Sequence, residues 1–234
     1  MRNSRPYLIP RPLRRRFMAL FTLCTVLGFL TGSWLAQAFS VPLLELLKHF
    51  ASAQNSPLSG VFGIALVILV SNVIAGMCLG IGQWLILRPY VRNRWWIVAT
   101  GIGWTINRLA LEGIDEIRQL MWGNTAIGGT AFLLFSLSTA ILVPLAFIGL
   151  GLAQWLILRK FVQRVWLWIF LPSLATWLAG LVLALPVVLL VQIAETLGVA
   201  SAVGSQLAVV PALAFGFLAS AFLCTRRRKR GYFQ

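Results

Sequence analysis

The sequence predicts an all-α membrane protein, a polytopic helical bundle of about six transmembrane helices. Hydrophobic residues make up 59% of the 234 residues and charged residues only 11%, and the mean hydropathy is +0.88. These values exclude an ordinary water-soluble domain. The apolar residues form continuous runs of about 20, the length that a helix needs to cross a hydrocarbon core. The runs lack the strict alternation of a membrane β-barrel, so helices are the predicted spans.

Six apolar runs are long enough to be spans. They cover residues 17–39, 60–87, 95–111, 130–158, 165–191 and 204–224. The predicted organisation is therefore a basic tail (1–16), a single transmembrane domain (17–225) and a second basic tail (226–234).

The first span has two interpretations. The basic stretch "RPLRRR", the apolar run and the small residues around Ala36 and Ala38 resemble a secretory signal. The apolar run is nearer 20 residues than the 7–15 of a signal core, so we favour an uncleaved anchor. Gly28 and Gly32 also give this helix a flat face that is suited to close helix packing.

The charges are segregated along the chain. Seventeen of the twenty Lys and Arg residues lie in the two tails and in the turns after the second and fourth spans: Arg2, Arg5, Arg11, Arg14, Arg15, Arg16, Arg88, Arg92, Arg94, Arg159, Lys160, Arg164, Arg226, Arg227, Arg228, Lys229 and Arg230. All five acids, Glu45, Glu112, Asp115, Glu116 and Glu195, lie in the intervening loops. With six spans, the basic segments share one face, as the positive-inside rule expects. Both termini are therefore predicted to be cytoplasmic, or stromal in an internal membrane, and the net charge of +15 needs no nucleic acid to explain it.

One segment occurs twice. "GIGQWLILRPYV" at 80–91 matches "GLAQWLILRKFV" at 151–162, at an offset of 71 residues. Each copy ends an apolar run, enters a basic turn and leads into a Trp-rich run. The sequence thus predicts two tandem helical hairpins of the same orientation, about 60–110 and 130–190.

The repeated motif supplies the candidate site. Its members are Gln83, Trp84 and Arg88 in the first copy and Gln154, Trp155 and Arg159 in the second. Each Gln amide lies deeper than its Arg and needs a partner there, whereas each Arg is expected to reach the headgroups with its guanidinium on the neighbouring Trp. Two interpretations stay open. The glutamines join helices, and each is the other's partner; or the set forms a pocket for an anionic lipid headgroup or a pigment head group at the inner leaflet.

The stretch 107–122 carries most of the acidic charge. Arg108 and Glu112 are four residues apart, which predicts a helical extension of the third span beyond its apolar part. A solvated face explains its charges, and a partner contact is the alternative. Four prolines, at 144, 172, 186 and 211, fall inside three of the spans, where they are expected to kink helices.

Catalytic and cofactor motifs are not recognisable in this sequence. No Asp, Glu, Lys or His lies in the middle of a predicted span, which removes the usual groups of proton relays. The single histidine, His49, lies in "PLLELLKHF", which is predicted to be a short interfacial helix. Cys24, Cys78 and Cys224 lie singly in spans, so the spacing gives neither a disulfide framework nor a zinc site. We therefore expect no enzyme activity, no metal and no cofactor.

The unit "GxxQWLILR", with its basic turn and Trp-rich return helix, resembles a repeat of uncharacterised bacterial multi-pass membrane proteins, those of cyanobacteria in particular. It covers about half of the chain in two copies. The resemblance implies a location in a plasma or thylakoid membrane. By analogy alone, it also suggests association with a photosynthetic complex.

Two functions follow as hypotheses. The first is a non-enzymatic accessory, scaffold or assembly component, which predicts a closed bundle interior and a protein or pigment partner. The second is a small-solute transporter or substrate-binding membrane component with a polar site between the repeat helices. That site would be made from Gln83, Gln154, Asn72 and Asn107, in a continuous polar cavity near the midplane.

Overall fold

The computed structural model describes residues 7–54, 57–122, 130–182 and 209–227, and these residues are almost entirely helical. After a short 3₁₀ helix (Arg11–Leu13), the elements in chain order are α1 (Arg14–Gln54), α2 (Pro57–Leu87), α3 (Trp95–Trp122), α4 (Thr130–Ala146), α5 (Ile148–Leu158), a 3₁₀ helix (Trp166–Phe170) that continues as α6 (171–182), and α7 (Val209–Thr225). The all-α prediction is confirmed for this part of the chain, and the arrangement fits six helical spans because α4 and α5 together occupy the predicted fourth span.

The fourth span is interrupted at Phe147. Pro144 lies inside α4 and lacks the backbone N–H that would continue the helical hydrogen bonds. The Phe147 N–H instead donates to the Pro144 carbonyl at 3.1 Å, a tight turn, and the helix restarts at Ile148. The helix is therefore interrupted three residues after the proline at which a kink was expected.

The first and third helices both continue beyond their predicted apolar spans. The first helix continues past the predicted limit of 39 to Gln54 and passes through Pro42, so the segment around His49 belongs to α1 and is not a separate helix. The third helix extends to Trp122, as predicted from its charge spacing. Some predicted features lie outside the described residues. They are the parts of the fifth and sixth predicted spans at 183–191 and 204–208, Pro186 and the tail residues 228–234.

Apolar surface covers much of the bundle. In the described part of the chain, three helices are long and apolar enough to cross a membrane, over Arg11–His49, Gly63–Leu87 and Leu137–Leu158. Two shorter apolar helices cover Trp166–Val182 and Val209–Thr225. Large apolar side chains such as Leu85 (46% exposed) and Phe217 (56% exposed) point outwards. These features are compatible with a membrane protein.

The first two helices pack closely through small residues. A Cβ added at Gly28 would lie 2.8 Å from the Cys78 carbonyl oxygen, and one added at Gly32 would lie 2.7 Å from that of Ala75. Both distances are shorter than real Cβ contacts. The flat face predicted for the first helix therefore exists, and it is covered by α2.

The main apolar core lies at one end of the bundle, which we call the basic end. There α1 begins, α2, α5 and α7 end, and the turns 88–94 and 159–165 connect to the return helices. Leu8 and Ile9 are 1% and 0% exposed, and the Leu8 N–H donates to the Arg226 carbonyl at 2.8 Å. Within the predicted N-terminal tail, this segment therefore packs over the bundle and pairs with the end of α7.

Candidate functional site: a buried glutamine pair

The two copies of the repeated motif adopt the same turn. The Arg88 N–H donates to the Trp84 carbonyl, and the N–H groups of Tyr90 and Val91 both donate to the Leu87 carbonyl, each at 2.8 Å. In the second copy, the Arg159 N–H donates to the Trp155 carbonyl, and the N–H groups of Phe161 and Val162 both donate to the Leu158 carbonyl, each at 2.9 Å. The identical letters of the motif thus correspond to matching backbone hydrogen bonds.

Burial follows the same repeat. Five positions are buried in both copies, namely Leu79 and Leu150, Gly80 and Gly151, Gln83 and Gln154, Leu87 and Leu158, and Val91 and Val162. The outward positions also match, because Ile81, Leu85, Leu152 and Leu156 are all exposed. Each motif helix therefore turns its Gly and Gln inwards and its aliphatic side chains outwards.

The two glutamines contact each other. Gln154 Nε2 donates to Gln83 Oε1 at 3.0 Å, and both side chains are fully buried. This contact joins α2 to α5 and is the partner arrangement that the packing interpretation of the motif predicted. A hydrogen bond between buried amides avoids the cost of leaving either group unpaired in apolar surroundings.

Two further side chains complete the hydrogen bonds of Gln154. Its Nε2 also donates to Thr100 Oγ1 at 3.1 Å, and its Oε1 accepts from Trp168 Nε1 at 3.0 Å. The Thr100 hydroxyl in turn donates to the Trp96 carbonyl at 2.8 Å. We call Gln83, Thr100, Gln154 and Trp168 the glutamine layer; it links α2, α3, α5 and the 3₁₀ segment before α6.

The glutamine layer is not symmetric. Gln154 uses its oxygen and its nitrogen, whereas Gln83 Nε2 is buried without a hydrogen-bond partner among the described residues. Trp96 Nε1 is likewise buried and unpaired in this part of the chain, although Trp96 packs edge to face against Trp168 at 6.0 Å between ring centroids. The layer is therefore centred on Gln154.

The motif glycines allow this approach. A Cβ at Gly151 would overlap the carbonyl oxygen of Ile169, which is backbone and cannot rotate away. A Cβ at Gly80 would lie 3.0 Å from the Ile97 Cα and carbonyl oxygen. In each copy, the glycine three residues before the Gln brings the motif helix close to the backbone of its return segment, and in the second copy Trp168 of that segment donates to the Gln154 amide.

The Trp and Arg members of the motif lie at the surface of the basic end. Trp84 and Trp155 are half-buried, and Arg88 and Arg159 are exposed. The Arg159 guanidinium lies 5.1 Å from the Trp155 ring centroid, as predicted. The corresponding stacking of Arg88 on Trp84 is not found among the described residues.

Aromatic side chains close the basic end beneath the glutamine layer. The Trp168 ring contacts Phe215 and Phe222 of α7 edge to face, at centroid distances of 6.3 and 5.9 Å. Trp96 and Trp168 are both 0% exposed. Because Trp96 and Trp168 belong to the apolar core at the basic end and Phe222 packs against it, the polar groups of the layer are shielded on that side.

A cavity of about 400 Å³ lies on the other side of the layer. Among the described residues, its lining comes from every helix except α4 and includes Thr25, Phe29, Gln37, Asn72, Leu79, Trp104, Arg108, Leu150, Thr176 and Phe215. On α2, α3 and α5 the lining residues Leu79, Trp104 and Leu150 lie further from the basic end than the layer residues of the same helix. The cavity is thus separated from the basic end by the glutamine layer.

The four polar residues expected to form a transport site do not line one common cavity. Asn72 lines the cavity and donates to Glu112 Oε1 at 3.4 Å, while Gln83 and Gln154 are outside the lining. Asn107 is 0% exposed, and its Nδ2 and Oδ1 have no partner in the described part of the chain. A continuous polar cavity through the glutamines is therefore not formed in these residues.

Thr100 and Trp168 are the site residues that sequence reasoning missed. The alignment of the copies pairs Trp95 with Trp166, but both are largely exposed, at 66% and 57%. The buried tryptophans are Trp96 and Trp168, which are 72 residues apart, because the second return segment begins with a 3₁₀ turn that changes the register. The sequence shows that each return segment contains tryptophans, but it does not show which of their rings points inwards.

Comparisons with known proteins give no relative. No protein-family model, no characterised protein and no solved structure matches this chain. The resemblance to bacterial multi-pass membrane proteins therefore stays a prediction.

Proposed function

We propose that this protein is a non-enzymatic integral membrane component that acts as an accessory, scaffold or assembly subunit of a larger membrane complex. In this proposal six helical spans cross a bacterial plasma or thylakoid membrane, with the basic end in the cytoplasm or stroma. The repeated motif acts as a joint between helices. Association with a photosynthetic complex rests on the resemblance alone.

The glutamine layer carries the proposal. Gln154 satisfies both ends of its amide with protein groups, and aromatic rings cover the layer on the basic side. A bound solute would have to break these hydrogen bonds in order to use Gln154. The layer thus supports a closed joint rather than a transport path through the repeat.

The test of this function is purification of the tagged full chain in a mild detergent, with identification of every component that co-migrates. We expect a membrane protein or pigment–protein complex in constant stoichiometry, and a lower abundance of that complex when the gene is deleted. A monomer that retains only a small molecule, with no complex affected by the deletion, would contradict the scaffold function.

The proposed topology gives a separate prediction. In a background with Cys24, Cys78 and Cys224 replaced by Ala, single cysteines are introduced as Ser4→Cys and Gly113→Cys. Because basic segments are retained inside, an impermeant maleimide should label intact cells carrying Gly113→Cys and should label Ser4→Cys only after permeabilisation. Labelling of Ser4→Cys from outside would overturn the topology.

The exposed arginines of the motif are proposed to retain anionic lipid at the inner leaflet. Each juxtamembrane cation is worth about 1 kcal/mol against an anionic surface. Native mass spectrometry of Arg88→Gln/Arg159→Gln in mixed anionic and zwitterionic lipid should show less anionic lipid than the wild type. An unchanged lipid preference, in a variant with unchanged topology, would mean that these residues serve topology alone.

The cavity that the glutamine layer separates from the basic end favours a second candidate function, a substrate-binding membrane component. Its volume of about 400 Å³ falls within the range of small-ligand sites, and Asn72 and Arg108 give it polar groups near Glu112. On this hypothesis Ala212→Trp, which fills the cavity, should release a co-purifying small molecule while leaving the protein partners unchanged. Loss of protein partners without any small molecule would favour the scaffold instead.

A further inference from the structure

Four arginines that do not belong to the repeated motif converge at the basic end. The Tyr7 ring has the guanidinium carbons of Arg14, Arg11 and Arg227 at 4.4, 5.8 and 5.9 Å from its centroid. The Arg226 guanidinium lies 4.0 Å from the Phe222 centroid. We call Arg11, Arg14, Arg226 and Arg227 the arginine cluster.

The backbone holds the cluster together. Tyr7 forms an antiparallel bridge with Arg227, the Leu8 N–H donates to the Arg226 carbonyl, and the Gln163 N–H donates to the Arg227 carbonyl at 3.2 Å. Three chain segments that are far apart in sequence therefore meet at this point. The cluster is a consequence of the fold and not of a flexible tail.

The cluster has buried donors without acceptors. Arg14 Nε and Nη2 and Arg226 Nε are buried and have no hydrogen-bond partner among the described residues. Buried guanidinium N–H groups without an acceptor are costly, more so than neutral donors. Arg88 and Arg159 of the repeated motif are exposed, whereas Arg14 and Arg226 are partly buried.

Among the described residues, no acid lies near the cluster. The whole chain has five acids, and Glu45, Glu112, Asp115 and Glu116 lie on α1 and α3 towards the ends opposite the basic end. The remaining acid, Glu195, is outside the described residues. A hydrogen bond from Arg11 and the positive charge of Arg11 lower the pKa of the Tyr7 hydroxyl below its ordinary value, which agrees with a strongly positive local potential.

We propose that the arginine cluster is a binding site for a phosphate group, held mainly by Arg14 and Arg226. Planar guanidinium groups offer paired donors that match phosphate oxygens, and charge-assisted hydrogen bonds of this kind are among the strongest in proteins. The phosphate comes either from an anionic lipid headgroup or from a free phosphate compound. The site is independent of the scaffold function and of the lipid retention proposed for Arg88 and Arg159.

The test uses the full chain purified in a neutral detergent. One arm titrates inorganic phosphate; the other transfers the protein to phosphatidylcholine vesicles with or without phosphatidylglycerol and counts retained lipid by native mass spectrometry. The variant is Arg14→Gln/Arg226→Gln, and the matched control is Arg92→Gln/Arg94→Gln, which removes the same charge from exposed positions of the turn 88–94. Elution volume and thermal midpoint without ligand check that each variant is folded.

We expect the Arg14/Arg226 variant to lose about tenfold or more in affinity in the arm that binds, because two forked donor groups are removed. The control should keep its phosphate affinity within about twofold, since distant surface charges act weakly and are screened. Binding in the phosphate arm assigns the site to free phosphate compounds, and binding only in the lipid arm assigns it to a headgroup.

Two results would overturn the proposal. One is a wild type that binds neither inorganic phosphate nor phosphatidylglycerol. The other is equal loss of affinity in the two variants, which would show that net charge alone is responsible. If the Gln variant does not fold, Arg14→Lys/Arg226→Lys decides: it keeps the charge but loses the planar fork, so unchanged affinity would contradict the site.

Discussion

Gln154→Leu is expected to lower the free energy of unfolding in detergent by about 2–3 kcal/mol, whereas Gln83→Leu should cost only about 0.5–1 kcal/mol. The difference follows from the hydrogen bonds. Removing Gln154 leaves the Trp168 indole N–H and the Gln83 oxygen buried without their partner. Removing Gln83 breaks one hydrogen bond and also removes an amide nitrogen that has no partner in the described residues.

Gln37→Leu is the matched control for these variants. Gln37 lies on α1 and its side chain is exposed, so the same change there should alter the free energy of unfolding by less than about 0.5 kcal/mol. Chemical denaturation of the three variants, followed by tryptophan fluorescence, gives the ranking. Equal losses for Gln83→Leu and Gln154→Leu would contradict a layer centred on Gln154.

Gly151→Ala is expected to destabilise the protein by about 2–3 kcal/mol, since overpacking against a rigid neighbour costs this much. The added Cβ would overlap the Ile169 carbonyl, and relieving the overlap would separate α5 from the segment that carries Trp168. Gly80→Ala meets the Ile97 backbone at 3.0 Å and should cost less, about 1 kcal/mol.

Gly113→Ala is the control with the opposite sign. Gly113 lies inside α3, is exposed, and has no atom within 4 Å of its added Cβ. Alanine in a helix interior is more favourable than glycine by about 0.5–1 kcal/mol, so this variant should be slightly more stable than the wild type. Thermal unfolding in one detergent compares the three. A stabilising Gly151→Ala would mean that the close approach of α5 and Ile169 is wrong.

Much of the fold could be predicted because hydrophobic run length is a direct physical requirement. The all-α class and the extension of the third helix to Trp122 followed from residue patterns, and Pro144 lies close to the interruption of the fourth span. The continuity of α1 through Pro42 could not be predicted, since proline is compatible with a helix when its neighbours accommodate the missing hydrogen bond.

The candidate site divides in the same way. Gln83 and Gln154 lie in apolar runs, so each was expected to need a hydrogen-bond partner. The duplication indicated that each glutamine is the partner of the other. Thr100 and Trp168 could not be chosen, because their roles depend on the register of the return segments and on a 3₁₀ turn that the repeat does not share. The arginine cluster depends on contact between the chain's two terminal segments, which local patterns do not encode.

The double-mutant cycle of Gln83→Leu and Gln154→Leu tests most directly whether the duplicated motif is a joint between helices. The free energies of unfolding of the wild type, the two single variants and the double variant are measured in the same detergent. Because Gln154 Nε2 donates to Gln83 Oε1 at 3.0 Å, we predict a coupling energy of about 0.5–1.5 kcal/mol. Strict additivity of the two single losses would contradict the joint and would place the two glutamines in separate environments.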